Sequence, residues 1–310
     1  MRIVFMGSPS PAIYPLEALA GSGHQVVGVY TQPDKLAGRG RRPEQSPVKR
    51  AAIKLGLTVL QPESLRRDDT QEQLASLEPD VIVVAAYGKL LPPQVLNLPS
   101  LGCLNLHPSL LPKYRGPSPV ASALLDGATA TGVTIILLDE GMDTGPILSQ
   151  KEMSVDQDST TETLTTRLFQ EGSILLMEIL PHWERGGIVP QPQDNSRASV
   201  TRRLSKEDGE IDWRLSAEDI WRRSKAYYPW PGTYTYWKGK RLKIGEGSPA
   251  EDGAAGEAGT VVILPTKGLA VLTGGGPFLV NRLQLEGRKA VKSEEFLKGY
   301  PDVVGSCLPS

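Results

Sequence analysis

The sequence predicts an α/β protein in two parts: an amino-terminal domain on a mostly parallel sheet, then a small β-barrel. Two observations carry this. Short β-branched runs at residues 2–6, 25–31 and 80–86 are separated by stretches with helical spacing. Strands alternating with helices fit a parallel sheet covered on both faces. Past Gly186 the pattern changes, and β runs at 233–237, 241–244, 259–264, 268–273 and 278–285 follow at short intervals, which suits a barrel. With 310 residues, the chain is long enough for about two domains and a real core.

In order, the first run, RIVFM, reads as a buried strand entering the turn GSPSPA. That turn has a single glycine where a dinucleotide-binding fingerprint needs three, which disfavours a nicotinamide cofactor. Helical spacing follows at 13–20, 48–57 and 71–77, and another strand is expected at 132–138. Residues 160–180 carry Leu164, Leu168, Leu175, Leu176 and Ile179 and predict a long amphipathic helix closing the first domain. The Gly/Pro-rich stretch after it predicts a division into residues 1–186, a linker at 187–203 and a second domain at 204–310. Residues 245–259 hold four acids and no cation among Gly, Ala and Pro, and predict a mobile loop in the barrel.

Composition excludes several classes. There are 34 basic and 35 acidic residues, so the chain is not uniformly cationic. Two cysteines make no disulfide framework and suit a reducing, cytoplasmic setting. No apolar run approaches the roughly 20 residues of a membrane helix. The three histidines are far apart, and no Cys/His pair has ligand spacing, so no metal is expected. His24 reads as a turn residue, His182 as a helix-end cap, and Cys103 as a small buried apolar group.

The densest stretch is GCLNLHPSLLPKYRG, residues 102–116. Asn105 and His107 are two apart at the end of an expected strand, so they share a face. That places an amide and an imidazole at the carboxyl edge of a parallel sheet, where ligands bind in this class. LDEGMDTGPIL, residues 138–148, then crowds Asp139, Glu140 and Asp143 into a loop with Gly141 and Gly145. Amide, imidazole and carboxylate suffice for acyl transfer without a covalent nucleophile: Asn donates to a developing oxyanion, His assists proton transfer or stabilises charge, and Asp orients and balances it. The same residues also fit a plainer reading, a strand-end Asn and His capping a turn. Ser109 lacks the glycine pattern of a nucleophile elbow. Lys113 and Arg115 read as cations that hold a ligand or are plainly solvated.

NLHPSLLPKYRG with LDEGMDTGPIL resembles the paired signature of the folate-dependent formyltransferases. The resemblance implies a Rossmann-like first domain, an OB-like barrel, 10-formyltetrahydrofolate as the one-carbon donor, and Asn105, His107 and Asp143 as the catalytic set. It further implies a pterin slot from 84–90, 109–112 and 138–143, with Tyr87, Gly88, Ser109, Leu110, Leu111, Pro112, Asp139 and Gly141 as folate-binding residues. Three further stretches resemble the tRNA-acting branch of the family: MRIVFMGSPSPAIYPLEAL, the basic TQPDKLAGRGRRPEQSPVK at 31–49, and YYPWPGTYTYW in the second domain. Formylation of the α-amine of methionyl initiator tRNA by a cytoplasmic monomer is the implied activity, and sugar-nucleotide formyl transfer the alternative. The 245–259 stretch matches nothing in the family.

Charge agrees with an RNA partner. Residues 31–50 hold six cations against two acids, with Arg39, Arg41 and Arg42 around glycines, which fits either an arm that orders on phosphates or a plain solvated loop. Residues 201–245 hold eleven cations, six acids and eight of the eighteen aromatics. Arg222, Arg223 and Lys243 are the candidate phosphate contacts there, while most of the aromatics are expected to fill the barrel core.

Overall fold

The structure, a computed structural model, describes residues 1–37, 42–251, 254, 256–265 and 267–310. Its contacts divide the chain into two compact units. The first comprises Met1–Pro119, Ala130–Val155 and Leu164–Thr201; the second comprises Val120–Thr129, Asp156–Thr163 and Arg202–Ser310.

The amino-terminal part begins with β1 (Arg2–Gly7), α1 (Ile13–Ala20), β2 (Gln25–Tyr30) and a separate strand pair, β3 (Lys35–Ala37) and β4 (Arg42–Glu44). It continues through α2 (Pro47–Lys54), β5 (Val59–Leu60), α3 (Asp68–Ser76), β6 (Val81–Ala85), α4 (Pro93–Leu96) and β7 (Cys103–His107). After α5 (Pro119–Leu125) come β8 (Ala130–Leu137), β9 (Ile147–Ser154) and α6 (Thr161–Glu184). The seven-stranded order is β5-β2-β1-β6-β7-β8-β9. β5, β2, β1, β6 and β7 run parallel; β8 is antiparallel to β7, and β9 is antiparallel to β8. β6 is VIVVA with every residue buried, the continuous apolar run of a strand covered on both faces. The 132–138 run is therefore a strand, as expected, but it reverses the parallel direction. β9, ILSQKEMS, is an edge strand with mixed exposure, and its polar composition hid it from the hydrophobic pattern.

α2 starts where Ser46 Oγ accepts from Lys49 N at 3.0 Å, with Pro47 at the first helical position. α6 lays Leu164, Leu168, Leu175, Leu176 and Ile179 into the core. At Gly172 the helix comes so close to the sheet that a Cβ would stand 2.7 Å from Leu106 Cδ1 and 2.8 Å from Val133 Cγ2. The helix also continues past the expected residue 180, through Pro181 to Glu184, so His182 lies in its last turn.

The basic stretch at 31–50 is more ordered at its base than a bare loop. β3 and β4 pair antiparallel, with Ala37 opposite Arg42. Arg39 and Arg41 lie outside the described residues. Beside this stem Lys49 Nζ donates to Asp34 at 2.7 Å, and Gln61 Nε2 donates to the other Asp34 oxygen at 2.8 Å. These contacts hold the Asp34 carboxyl below its ordinary value.

The second unit contains α7 (Ala217–Ala226), β10 (Thr233–Trp237), β11 (Lys240–Pro249), β12 (Val261–Leu264), β13 (Gly268–Thr273), β14 (Gly276–Leu285), β15 (Val291–Lys292) and α8 (Ser293–Gly299). The sheet is antiparallel, ordered β10-β11-β14-β13-β12, with β15 also on β14. Trp213, Trp237, Phe278 and Phe296 fill its core, whereas Tyr228 and Trp230 are exposed. The expected loop at 245–259 is corrected in its first third. Residues 245–249 belong to β11 and pair with β14, because register contacts across the sheet outweigh the poor strand propensity of EGSP.

Candidate active site

β7 delivers two site side chains. Asn105 sits opposite Val84 of β6 and Ile136 of β8, and His107 opposite Thr134. Pro108 ends the strand, and Ser109–Pro112 folds into a turn stitched to β8 and β9. Thr134 Oγ1 donates to Ser109 O at 2.6 Å and accepts from Leu111 N at 3.2 Å, and Gln150 Nε2 donates to Leu111 O at 2.7 Å. Asp143 comes from the loop between β8 and β9, with φ of 54°. That left-handed backbone is uncommon for a residue with a Cβ and needs support from its surroundings.

The three sequence-predicted residues meet. Asn105 Nδ2 donates to Asp143 Oδ1 at 3.3 Å. His107 Nδ1 lies 3.5 Å from Asp143 Oδ2, which also accepts from Gly116 N at 2.8 Å. His107 Nε2 is 3.0 Å from Tyr114 O. A carbonyl only accepts, so Nε2 carries hydrogen and Nδ1 is the proton-accepting nitrogen of the neutral ring. Burial pushes the His107 pKa below the ordinary imidazole value; the Asp143 charge and the Tyr114 carbonyl pull the other way without reversing it. The arrangement offers an amide donor, a neutral imidazole and a carboxylate able to stabilise the imidazolium once formed.

The remaining expected residues fall at various depths. Ser109 is fully buried and donates to Lys113 O at 2.7 Å, so its hydroxyl is structural. Leu111 is 3% exposed, whereas Leu110 and Pro112 are half-buried. The Tyr87 ring is buried in the core, while Gly88 beside it is exposed with φ of 79°. Asp139 Oδ1 accepts from Gly141 N at 3.0 Å and Thr144 Oγ1 at 2.7 Å, closing the turn before Asp143. Two apolar side chains on these loops stay exposed, Leu90 and Met142. Cys103 is buried among apolar neighbours, which pushes its thiol up to about 12. In the second unit Arg222 Nε lies 3.6 Å from Glu218 and its Nη1 3.4 Å from Asp219, while Lys243 is exposed on β11. Arg223 is half-buried on α7.

Sequence reasoning missed three participants, Tyr114, Gly116 and Gln193, and read Arg115 only as a ligand contact or a solvated cation. Tyr114 supplies the carbonyl that sets the His107 tautomer, and Gly116 the N–H on Asp143. Arg115 is 7% exposed, so it is not a free surface cation. It donates to Gln193 Oε1 through Nε at 3.0 Å and Nη2 at 2.8 Å, and to Asn195 Oδ1 at 2.8 Å. Gln193 donates in turn to the carbonyls of Asp143 and Gly145. The only local signal was YRG, a glycine next to an arginine in a turn. Gln193 had none. Among the described residues no group of three or more His, Cys, Asp or Glu is placed to hold a metal ion, and no helix is long and apolar enough to cross a membrane.

Residues 1–180 match the family model described as Formyl transferase, and residues 203–301 the model for Formyl transferase, C-terminal domain. The chain is 49% identical over 300 residues to a methionyl-tRNA formyltransferase of Chloroflexus aurantiacus, covering 96% of this chain and 97% of that protein. Among solved structures it resembles HypX from Aquifex aeolicus in complex with tetrahydrofolic acid, with TM-score 0.67 and 19% identity, over 98% of this chain and 48% of that one. An N-formyltransferase from Helicobacter canadensis, in complex with folinic acid and dTDP-3-aminofucose, has TM-score 0.67 and 15% identity, over 90% of this chain and 98% of that one. At these identities the two structures show the shared fold.

Proposed function

The chain belongs to the formyl transferase family, and from that premise we propose that it transfers a formyl group from 10-formyltetrahydrofolate to the α-amine of methionyl initiator tRNA. The convergence of Asn105 and His107 on Asp143 carries the chemistry. The near-full-length identity to a methionyl-tRNA formyltransferase selects the acceptor. 10-Formyltetrahydrofolate supplies the formyl carbon, which gains a bond to the amine nitrogen and loses its bond to N10. Asn105 donates to the formyl oxygen as negative charge develops there. His107 Nδ1 takes the proton released by the attacking amine and returns it to departing N10, and Asp143 stabilises the imidazolium in between. No covalent enzyme intermediate and no metal ion enters this scheme.

Loops 86–90, 109–112 and 138–143 line the donor slot in this reading. The exposed apolar side chains of Leu90 and Met142 suit a flat heterocycle, and Gly88 leaves the backbone open to its polar edge. Residues 1–186 supply the chemistry, 187–203 join it to the second domain, and 204–310 hold the tRNA body. Arg39, Arg41 and Arg42 of the basic stretch meet the acceptor end, and Arg222, Arg223 and Lys243 meet phosphates.

A formyl-transfer assay with two acceptors, charged initiator tRNA and a nucleotide-linked aminosugar, tests the reading. Transfer to the tRNA alone is expected. Transfer to the aminosugar alone would assign the chain to the sugar branch.

A further inference from the structure

Asp143 is held from two sides. Its carboxylate is fixed by Asn105 Nδ2 and Gly116 N. Its main chain, in the left-handed region, is fixed by a side chain 50 residues away: Gln193 Nε2 donates to Asp143 O at 2.8 Å and to Gly145 O at 2.7 Å. The Gln193 oxygen accepts two N–H groups of the buried Arg115. An amide has two hydrogens and two lone pairs, and here all four are used, so its orientation is determined. Arg115 is fastened in turn, its N donating to Ser199 O at 2.9 Å and its O accepting from Thr201 N at 2.7 Å. The adjacent residues, Tyr114 and Gly116, contact His107 and Asp143. One side chain thus ties the loop of Asp143 to the turn that supplies partners to His107 and to the Asp143 carboxylate.

We propose that Gln193 is a positioning residue for the transfer, aligning the Asp143 carboxylate with His107 and Asn105 through the main chain of the 143–145 loop. It touches neither substrate nor reacting atoms. The inference rests on the reading of Asp143 as a member of the catalytic set. A residue in the stretch between the two family matches thereby becomes part of the working site. Gln193→Glu keeps the shape and the Arg115 contact but turns a carboxylate oxygen toward two carbonyl oxygens. Gln193→Asn keeps the amide but withdraws it by one methylene.

The test uses the full chain with both substrates and compares Gln193→Glu, Gln193→Asn, Asp143→Asn and the two double variants by single-turnover and steady-state kinetics. A small misplacement of a reacting group costs up to about a hundredfold in rate. Both single Gln193 variants are therefore expected to lose roughly ten- to a hundredfold in kcat, with KM for folate and tRNA within about twofold. Added to Asp143→Asn they should cost nothing more, because the group they position is already gone. Should Gln193→Glu fail to fold, Gln193→Asn carries the same comparison. Normal kcat in the folded Gln193 variants with a slow Asp143→Asn would overturn the positioning role and leave the catalytic set standing. The same holds if the Gln193 loss recurs in full on Asp143→Asn, which marks a purely structural effect. Full turnover by Asp143→Asn would remove Asp143 from the catalytic set, and this inference with it.

Discussion

Asp143 Oδ2 lies 3.5 Å from His107 Nδ1, with the imidazole 5% and the carboxylate 15% exposed. A proton moved onto His107 during the reaction therefore meets a fixed negative charge in a place with little solvent screening.

From this pair and its Asn105 neighbour, Asn105→Ala, His107→Ala and Asp143→Ala should each lower kcat by about a hundredfold or more, roughly 3–4 kcal/mol for a lost oxyanion donor. The unfolding midpoint and circular dichroism should remain near the parent. Folded variants with near-normal turnover would remove the set from the mechanism.

The pH dependence has a defined sign. The folded His107 pKa lies below the ordinary value near 6.5, so the neutral, proton-accepting ring persists at neutral pH. kcat is expected to fall only on the acid side, with a midpoint below that value. In the window between the folded and unfolded pKa values the unfolded chain binds the extra proton, so this group's contribution to stability declines as pH falls through it. Asp143→Asn removes the charge that favours the imidazolium and should push the midpoint lower still. A pH–kcat series on both proteins reads this directly, and an acid midpoint shifted upward by Asp143→Asn would contradict it.

In the 109–112 turn, Leu110 and Leu111 should part ways. Leu111 is 3% exposed, and an unpaired charge there carries a desolvation cost of several kcal/mol, so Leu111→Asp is expected to lower the unfolding midpoint. Leu110 is half-buried and leans on Gly132. Leu110→Asp should weaken folate binding, seen by fluorescence titration, while tRNA binding persists. Unchanged folate affinity would take this turn out of the donor slot.

Gly172 couples α6 to the site strand. A larger side chain must displace Leu106, which sits between Asn105 and His107, or Val133. Gly172→Val should cost roughly 1–3 kcal/mol by overpacking and lower kcat as well. Denaturant unfolding and turnover, measured together, check both halves; a fall in stability with full activity would uncouple the helix from the site.

For the RNA partner, Arg42→Ala should reduce discrimination between initiator and elongator methionyl-tRNA. Removing Lys243, exposed on β11, should weaken both tRNAs alike and lower the salt slope by about one unit per lost phosphate contact. Arg222, which has Glu218 and Asp219 beside it, should have the smaller effect of the two. Kinetics with both tRNAs over a salt series decide this, and the reverse pattern would exchange the roles of the two basic regions.

The sequence by itself determined the strands whose apolar runs are continuous, such as β1 and β6, and the helix whose leucines recur at three and four, α6. It also placed Asn105 and His107 on one face of β7, because a period of two is a local property. The family signature named Asp143 as their partner. Tertiary structure alone decided what a period cannot encode. β9 is a polar edge strand with no hydrophobic alternation, and residues 245–249 join β11 because β14 offers them partners. The separation of 38 positions between Asn105 and Asp143 is closed by the β8–β9 reversal. The buried fork of Arg115 onto Gln193 links residues 78 apart in a pattern without hydrophobic signal. Hydrogen bonds between distant polar side chains depend on where the backbone has already been brought, and that information lies in the packed sheet rather than in any local stretch of the chain.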